Sequence, residues 1–251
     1  MASVPDGFDE DAVSLSASRD GHVVVLLSVL RSGGEPIAGA RFHLRGFHGD
    51  SGEPMWTRTL GDASAGHLPA HVQTAVDGSI VVATGTRLPA TPPHFPPEIL
   101  TMALRVDSGA VLWQDRIQGP GQGVDLVLSA DERTAFVCGT QMVAYRIVSG
   151  DRAWSNDAHP WRWSNGGDPR FASACAVVPD QSALITVDDN GGGDFQRPTF
   201  TAVDTTDGDI LWSVALPREF NRRHQGIDMA LSRDGTQAIG LSQGWSMAAT
   251  A

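Results

Sequence analysis

The chain has 251 residues, of which 41% are hydrophobic and 28 are glycine, and a formal net charge of −11. That length and apolar content allow one large all-β domain or two small domains with a sizeable core. The acidic balance repels phosphate backbones and argues against nucleic-acid binding. All 18 basic residues are arginine, so lysine-based catalysis is excluded.

The N-terminal stretch MASVPDGFDEDA is acidic and lacks the apolar segment of a secretory signal. The longest apolar run, His22 to Leu30, falls well short of the roughly 20 residues a spanning helix needs. The expectation is a soluble cytoplasmic protein with no membrane span. An acidic segment containing Gly and Pro is also a poor strand former, so the residues before Val13 are expected to contribute little to a sheet.

From there two short motifs alternate. The first is an apolar run, a corner with Asp, and a second apolar run: SLSASRDGHVVVLLS, TAVDGSIVVATGT, LVLSADERTAFVCGT, AVVPDQSALITVDD and MALSRDGTQAIGLS. The corners are Asp20, Asp77, Asp131, Asp180 and Asp234, spaced 57, 54, 49 and 54 residues apart. Asp-Gly between β-rich runs is a strong hairpin signal, because Gly accepts a positive φ without strain. The second motif is Gly-x-x-x-Trp, in which Gly52, Gly109, Gly150 and Gly208 each precede a tryptophan: Trp56, Trp113, Trp154 and Trp212. Three of the four follow a β run, so the glycine turns one strand into the next. One repeat therefore holds two hairpins, or four strands, in the roughly 50 residues of a propeller blade.

The predicted blades are 12–60, 71–117, 123–157, 171–216 and a partial fifth, 226–249. After the hairpin at Asp234 only GWSMAATA remains, too little for a complete fifth blade. Two explanations stand: the segment before Val13 supplies the missing outer strand and closes a five-blade ring, or the chain is a fragment of a longer propeller or an open-ended array. An unpaired edge blade would invite self-association.

The segment AVDTTDGDILW, Ala202 to Trp212, fits A-x-D-x-x-x-G-x-x-x-W. It resembles the tryptophan-docking motif of the quinoprotein-like (PQQ-like repeat) β-propeller family. ALRVDSGAVLW and AYRIVSGDRAW match except at the Asp, where Arg105 and Arg146 stand. GFHGDSGEPMW keeps only the glycine and the tryptophan. The resemblance covers nearly the whole chain and implies that all four tryptophans pack between neighbouring blades. Members that oxidise alcohols bind pyrroloquinoline quinone, use seven or eight blades, and in the alcohol dehydrogenases carry adjacent cysteines. This chain has under five blades, and its cysteines, Cys138 and Cys175, are 37 positions apart. The quinone is therefore not carried over, and no cofactor is expected. The two cysteines are read as buried thiols acting as small hydrophobes.

Blade parity places the Asp corners and the glycine turns at one end and the longer connections at the other. Those connections include Arg31 to Ala40, RLPATPPHFPPE, DDNGGGDFQRP and NDAHPWRWSNGGDPR. Loops on a rigid scaffold are where function concentrates. Alignment on the Asp corners puts Ser14, His71, Asp125, Ala174 and Asp228 at one equivalent position of the innermost strands. Ser14, His71, Asp125 and Asp228 are candidates for a ligand or cation site, or simply line the channel. Trp161, Arg162 and Trp163 are the candidate partner-binding cluster, since Trp and Arg are enriched at interface hot spots. DDNGGGD lacks calcium-ligand spacing, the eight histidines form no metal motif, and no G-x-S-x-G elbow occurs.

The expected function is a non-catalytic binding or scaffolding propeller engaging a protein or small ligand through its long-loop face. One alternative is a five-bladed carbohydrate-active hydrolase using Asp125 and Asp228, which would need to lie about 5–9.5 Å apart. Another is a sensor domain of a larger signalling protein.

Overall fold

In a computed structural model the chain is all-β. The residues described are 8–32, 39–61, 65–89, 97–118, 123–139, 141–156, 171–189, 198–215 and 222–246. Blade one comprises β1 (Phe8–Ala17), β2 (Val23–Ser32), β3 (Arg41–His48) and β4 (Pro54–Leu60). Blade two comprises β5 (Ala65–Thr74), β6 (Ile80–Pro89), β7 (Glu98–Arg105) and β8 (Val111–Gln118). Blade three comprises β9 (Gly123–Leu128), β10 (Thr134–Gly139), β11 (Met142–Arg146) and β12 (Arg152–Asn156). Blade four comprises β13 (Phe171–Val177), β14 (Ala183–Asp189), β15 (Pro198–Asp204) and β16 (Ile210–Ala215). A two-stranded sheet follows, β17 (Arg222–Leu231) and β18 (Ala238–Ser246). Every sheet is an antiparallel meander in sequence order.

The middle strands are apolar on both faces because each sheet is sandwiched between its neighbours. Val81 of β6 joins the core between blades one and two, with Leu27, Phe42 and Leu44. The next residue, Val82, joins the core between blades two and three, with Leu126, Val137 and Tyr145. Phe136 and Val137 of β10 divide in the same way between successive seams. Such strands read as unbroken apolar runs rather than alternating ones. Each fully buried Val, Leu or Phe contributes about 1.5–3 kcal/mol relative to exposure. The innermost strands pack in series: β1 on β5, β5 on β9, β9 on β13, and β13 on β17.

Both kinds of tight turn lie at one end, because they hydrogen-bond within each blade. Gly49 N–H donates to the His22 carbonyl, Val106 to Ser79, and Ile147 to Arg133. Two of the five Asp corners lack a following glycine, yet Glu132 and Gln181 adopt φ of 54° and 65° there. Their side chains offset this strain. Glu132 accepts from the backbone N–H of Val76 in blade two, and Gln181 Oε1 accepts from Ala130 N–H of blade three at 2.7 Å. The residue after the Asp thus ties its corner to the corner of the preceding blade.

Two expectations need correction. Of the residues before Val13, Phe8 to Ala12 are not a separate outer strand: they lengthen β1 and pair with β2 from Phe8↔Ser32 to Ala12↔Ser28. They are held there partly by Glu10, which accepts from Ser28 Oγ at 2.6 Å and binds Arg45 Nη2 at 2.6 Å. The cysteines are not free thiols. Cys138 of β10 and Cys175 of β13 form a disulfide across the seam between blades three and four.

Candidate functional site

Each innermost strand carries a β-bulge at the same place. The register slips at Ala12/Ser14, Pro69/His71, Ala172/Ala174 and Gly226/Asp228, and opposite Cys138/Gly139 next to Asp125. Ser14, His71, Asp125, Ala174 and Asp228 each follow the extra residue. A bulge turns the strand locally and re-aims the side chain that follows it.

At three of these positions the side chain reaches the next blade. Ser14 Oγ accepts from Val72 N–H at 3.3 Å. His71 Nδ1 lies 2.7 Å from Asp125 Oδ1. Asp125 Oδ1 also accepts from Leu126 N–H at 2.8 Å, while Oδ2 accepts from Cys175 N–H at 2.7 Å. Both oxygens of this buried carboxylate are therefore engaged, one of them twice, and the disulfide stands beside it. Ala174 is buried and contributes no polar group. Asp228 shares the register position, but its side chain lies outside the described residues. Trp161, Arg162 and Trp163 also lie outside them, as do most of the long connections.

The tryptophans follow a second set of bulges, one in each outermost strand. The register slips between Pro54 and Trp56, Val111 and Trp113, Arg152 and Trp154, and Ile210 and Trp212. Trp56 Nε1–H donates to the Val106 carbonyl. Trp113 donates to Ile147 and Trp154 to Thr205, both at 2.7 Å. Each acceptor lies three residues before the docking glycine of the next blade. A Cβ on Gly109, Gly150 or Gly208 would lie within 2.5–2.6 Å of the preceding indole. These glycines thus serve twice, through a φ between 64° and 82° and through close approach.

Further contacts fasten the same seams. Arg58 Nε donates to the Gly109 carbonyl at 3.0 Å. Asp115 accepts from Arg152 Nε and Nη2, at 2.6 and 2.9 Å, and from the Tyr145 hydroxyl at 2.9 Å. Burial pushes the Asp115 carboxyl up, but the bonds from Arg152 and Tyr145 outweigh it and hold the group below its ordinary range. Trp113 stacks on Tyr145 at 5.4 Å.

Trp212 departs from the expected packing. It is 42% exposed, against 8% for Trp56 and Trp154. At the other end of the array a Cβ on Gly52 would meet nothing within 4 Å.

A polar cluster inside blade one carries no sequence signal. Glu10, Ser28, His43, Arg45 and Thr59 come from four strands. Arg45 Nε donates to His43 Nε2 at 3.0 Å, and His43 Nδ1 lies 3.0 Å from Thr59 Oγ1. Burial lowers the His43 pKa, with Glu10 opposing and Arg45 adding to the shift. Only their shared position across adjacent strands could have grouped these residues, and that requires the register.

No group of three or more acidic, histidine or cysteine side chains among the described residues is placed to hold a metal ion. No helix among them is long and apolar enough to cross a membrane.

Comparison with known proteins gives the fold a family. The chain is similar to BamB from Moraxella catarrhalis at 14% identity, with 92% of this chain and 85% of that one covered and a TM-score of 0.48. It is similar to a europium-containing methanol dehydrogenase at 14% identity, 84% and 43% coverage and a TM-score of 0.57. It is also similar to Kuenenia stuttgartiensis hydrazine synthase at 12% identity, 96% and 84% coverage and a TM-score of 0.51. At such identities the likeness is one of fold, and the chain spans under half the length of the dehydrogenase. No curated protein matches the sequence. Residues 17–213 match the family described as outer membrane protein assembly factor BamB, and the chain belongs to that family of PQQ-like repeat propellers.

Proposed function

We propose that this protein is a scaffolding propeller that engages a protein partner through its long-loop face and performs no catalysis on its inner strands. The observation that carries this reading is the use made of Asp125. Both of its oxygens are committed to His71, Leu126 N–H and Cys175 N–H, so it joins three blades rather than presenting a free carboxylate. A general acid or base needs an accessible oxygen within reach of a substrate proton. The family description as an assembly factor points the same way. The tight face offers a partner little, because its corners and glycine turns spend their backbone groups on one another.

The Cys138–Cys175 disulfide supports work in an oxidising compartment, where such bonds persist, rather than in the cytoplasm.

Asp125→Asn separates scaffold from hydrolase. A scaffold keeps its partner and loses thermal stability as the His71 contact weakens. A hydrolase keeps its fold and loses turnover. For the binding face, a photo-crosslinking amino acid is placed at Trp163 or, on the tight face, at Asp77. Partner adducts from position 163 alone are expected, and adducts only from position 77 would overturn the reading.

A further inference from the structure

β1 is held by two different chemistries, and its bulge is the boundary between them. Beyond the bulge, Ser14 and Ser16 reach blade two, accepting from Val72 N–H at 3.3 Å and Thr74 N–H at 2.9 Å. Neither hydroxyl carries a charge that acid could change. Ahead of the bulge, Phe8 to Ala12 pair with β2 and are fastened by ions. Glu10 binds Arg45 inside the blade, and the exposed Asp11 lies 3.4 Å from Arg31. An exposed pair of that kind contributes little, so Glu10 is the main anchor.

That anchor depends on His43, whose ring is buried and whose proton can be placed from its partners. Arg45 Nε can only donate, so His43 Nε2, 3.0 Å away, is bare and accepts. The ring is therefore neutral, with its proton on Nδ1, which donates to Thr59 Oγ1 at 3.0 Å. The same guanidinium sets its Nη2 2.6 Å from Glu10 Oε2. A neutral imidazole thus aims Arg45 at Glu10. A second ring proton would set Nε2–H against Arg45 Nε–H, two donors with no acceptor between them. The guanidinium must then turn away, and Glu10 Oε1, 3.9 Å from Nε2, is drawn to the imidazolium instead. Among the described residues, the groups beside the ring are Glu10 from β1, Ser28 from β2 and Thr59 from β4. Arg45 and Arg41 share its side of β3. Burial and Arg45 oppose the charged ring, Glu10 favours it, and the balance lies with the neutral form.

We propose that His43 is an acid-sensitive latch for the part of β1 ahead of the bulge. Neutral, it keeps Arg45 on Glu10 and Phe8–Ala12 on β2. Charged, it breaks that contact, and the segment loosens while Ser14 and Ser16 keep the rest of β1 on blade two. A folded-state pKa below 6.5 gives stability that is complete above the ordinary value and lost as pH falls towards the folded one. The latch lies at the long-connection end of blade one and works whether or not a partner binds there.

The test follows the native chain from about pH 7.5 to about pH 5, above the roughly 4 at which ordinary carboxylates titrate. Nitrogen-15 NMR of the imidazole at the higher pH should show Nδ1 protonated and Nε2 bare. Exchange protection of Phe8–Ala12, corrected for intrinsic exchange, should fall about tenfold across the range, while that of Ser14–Ala17 holds. His43→Gln, which stays uncharged, should flatten the fall. A proton on Nε2 at the higher pH would overturn the proposal. So would protection that falls alike on both sides of the bulge, or not at all. An unchanged fall in His43→Gln would also overturn it, by giving the effect to another group. Should that variant fail to fold, the two measurements on the native chain decide alone.

Discussion

Trp154 and Trp212 occupy the same place in two consecutive blades, follow the same bulge, and end in different surroundings. The first is capped by Gly208 and donates to the Thr205 carbonyl. The second has no such cap among the described residues and is partly exposed. The motif is therefore half of a joint: Gly-x-x-x-Trp reports what a blade offers to its successor, and the successor decides whether the indole is core or surface. In the three closed seams the tryptophan comes from the earlier blade and the glycine that caps it from the later one.

The sharpest way to break this comparison is a paired truncation. Trp154→Ala removes a ring capped by the next blade and should cost about 3–5 kcal/mol. Trp212→Ala should cost about 1 kcal/mol or less, as an exposed site. Urea unfolding of the two variants measures the gap, and equal costs would mean that Trp212 is capped in solution.

The closed seam also holds the Cys138–Cys175 bond, which the open one lacks. Closing a 37-residue loop stabilises the fold by about 2–4 kcal/mol through the unfolded chain. Cys138→Ala with Cys175→Ala should lower the unfolding midpoint accordingly. Adding a reductant to the native chain should reproduce the loss, whereas a reductant should leave the double variant unmoved.

Much of this was legible in the sequence, and for a definite reason. Both hairpins of a blade close on short turns, so the Asp corners and glycine turns placed the four complete blades and the inner hairpin of the fifth. What stayed hidden depends on contacts between blades. Cys138 and Cys175 look unrelated until β10 and β13 meet at a seam. Asp125 looks like a free carboxylate until its partners are found in the blades on either side. Phe8 to Ala12 look like a tail because their acidity is matched by Arg45 and Arg31, which arrive from other strands. The bulges ahead of the aligned inner positions and the tryptophans change pairing, not composition, and so leave no trace in residue type.

A smaller effect separates the glycines at the two ends of the array. Gly150→Ala places a methyl against the Trp113 ring and in a left-handed conformation, and should cost about 2–4 kcal/mol. Gly52→Ala carries the conformational part alone, about 1–2 kcal/mol. Thermal melts of the two variants test the difference.

The smallest effect concerns acid. At the corner of the two-stranded sheet, the Ser232 hydroxyl and the Thr236 amide hold the Asp234 carboxyl down at about 2, below its ordinary 3.8. A lowered folded-state pKa contributes stability at pH above the ordinary value and loses it as pH falls towards the folded one. The two-stranded sheet should therefore loosen first between those limits, seen as earlier loss of exchange protection in β17 and β18 than in β5 and β6. Asp234→Asn should flatten that dependence.

The disulfide has one more consequence, for proteolysis. It bridges two blades around the whole stretch from 139 to 174, including the Pro- and Trp-containing connection of 157–170. A protease that cuts within this stretch severs the polypeptide but not the particle. The nicked protein would migrate as a single species on a non-reducing gel and as two fragments only after reduction, so cleavage there could go unnoticed in any assay that reads size alone.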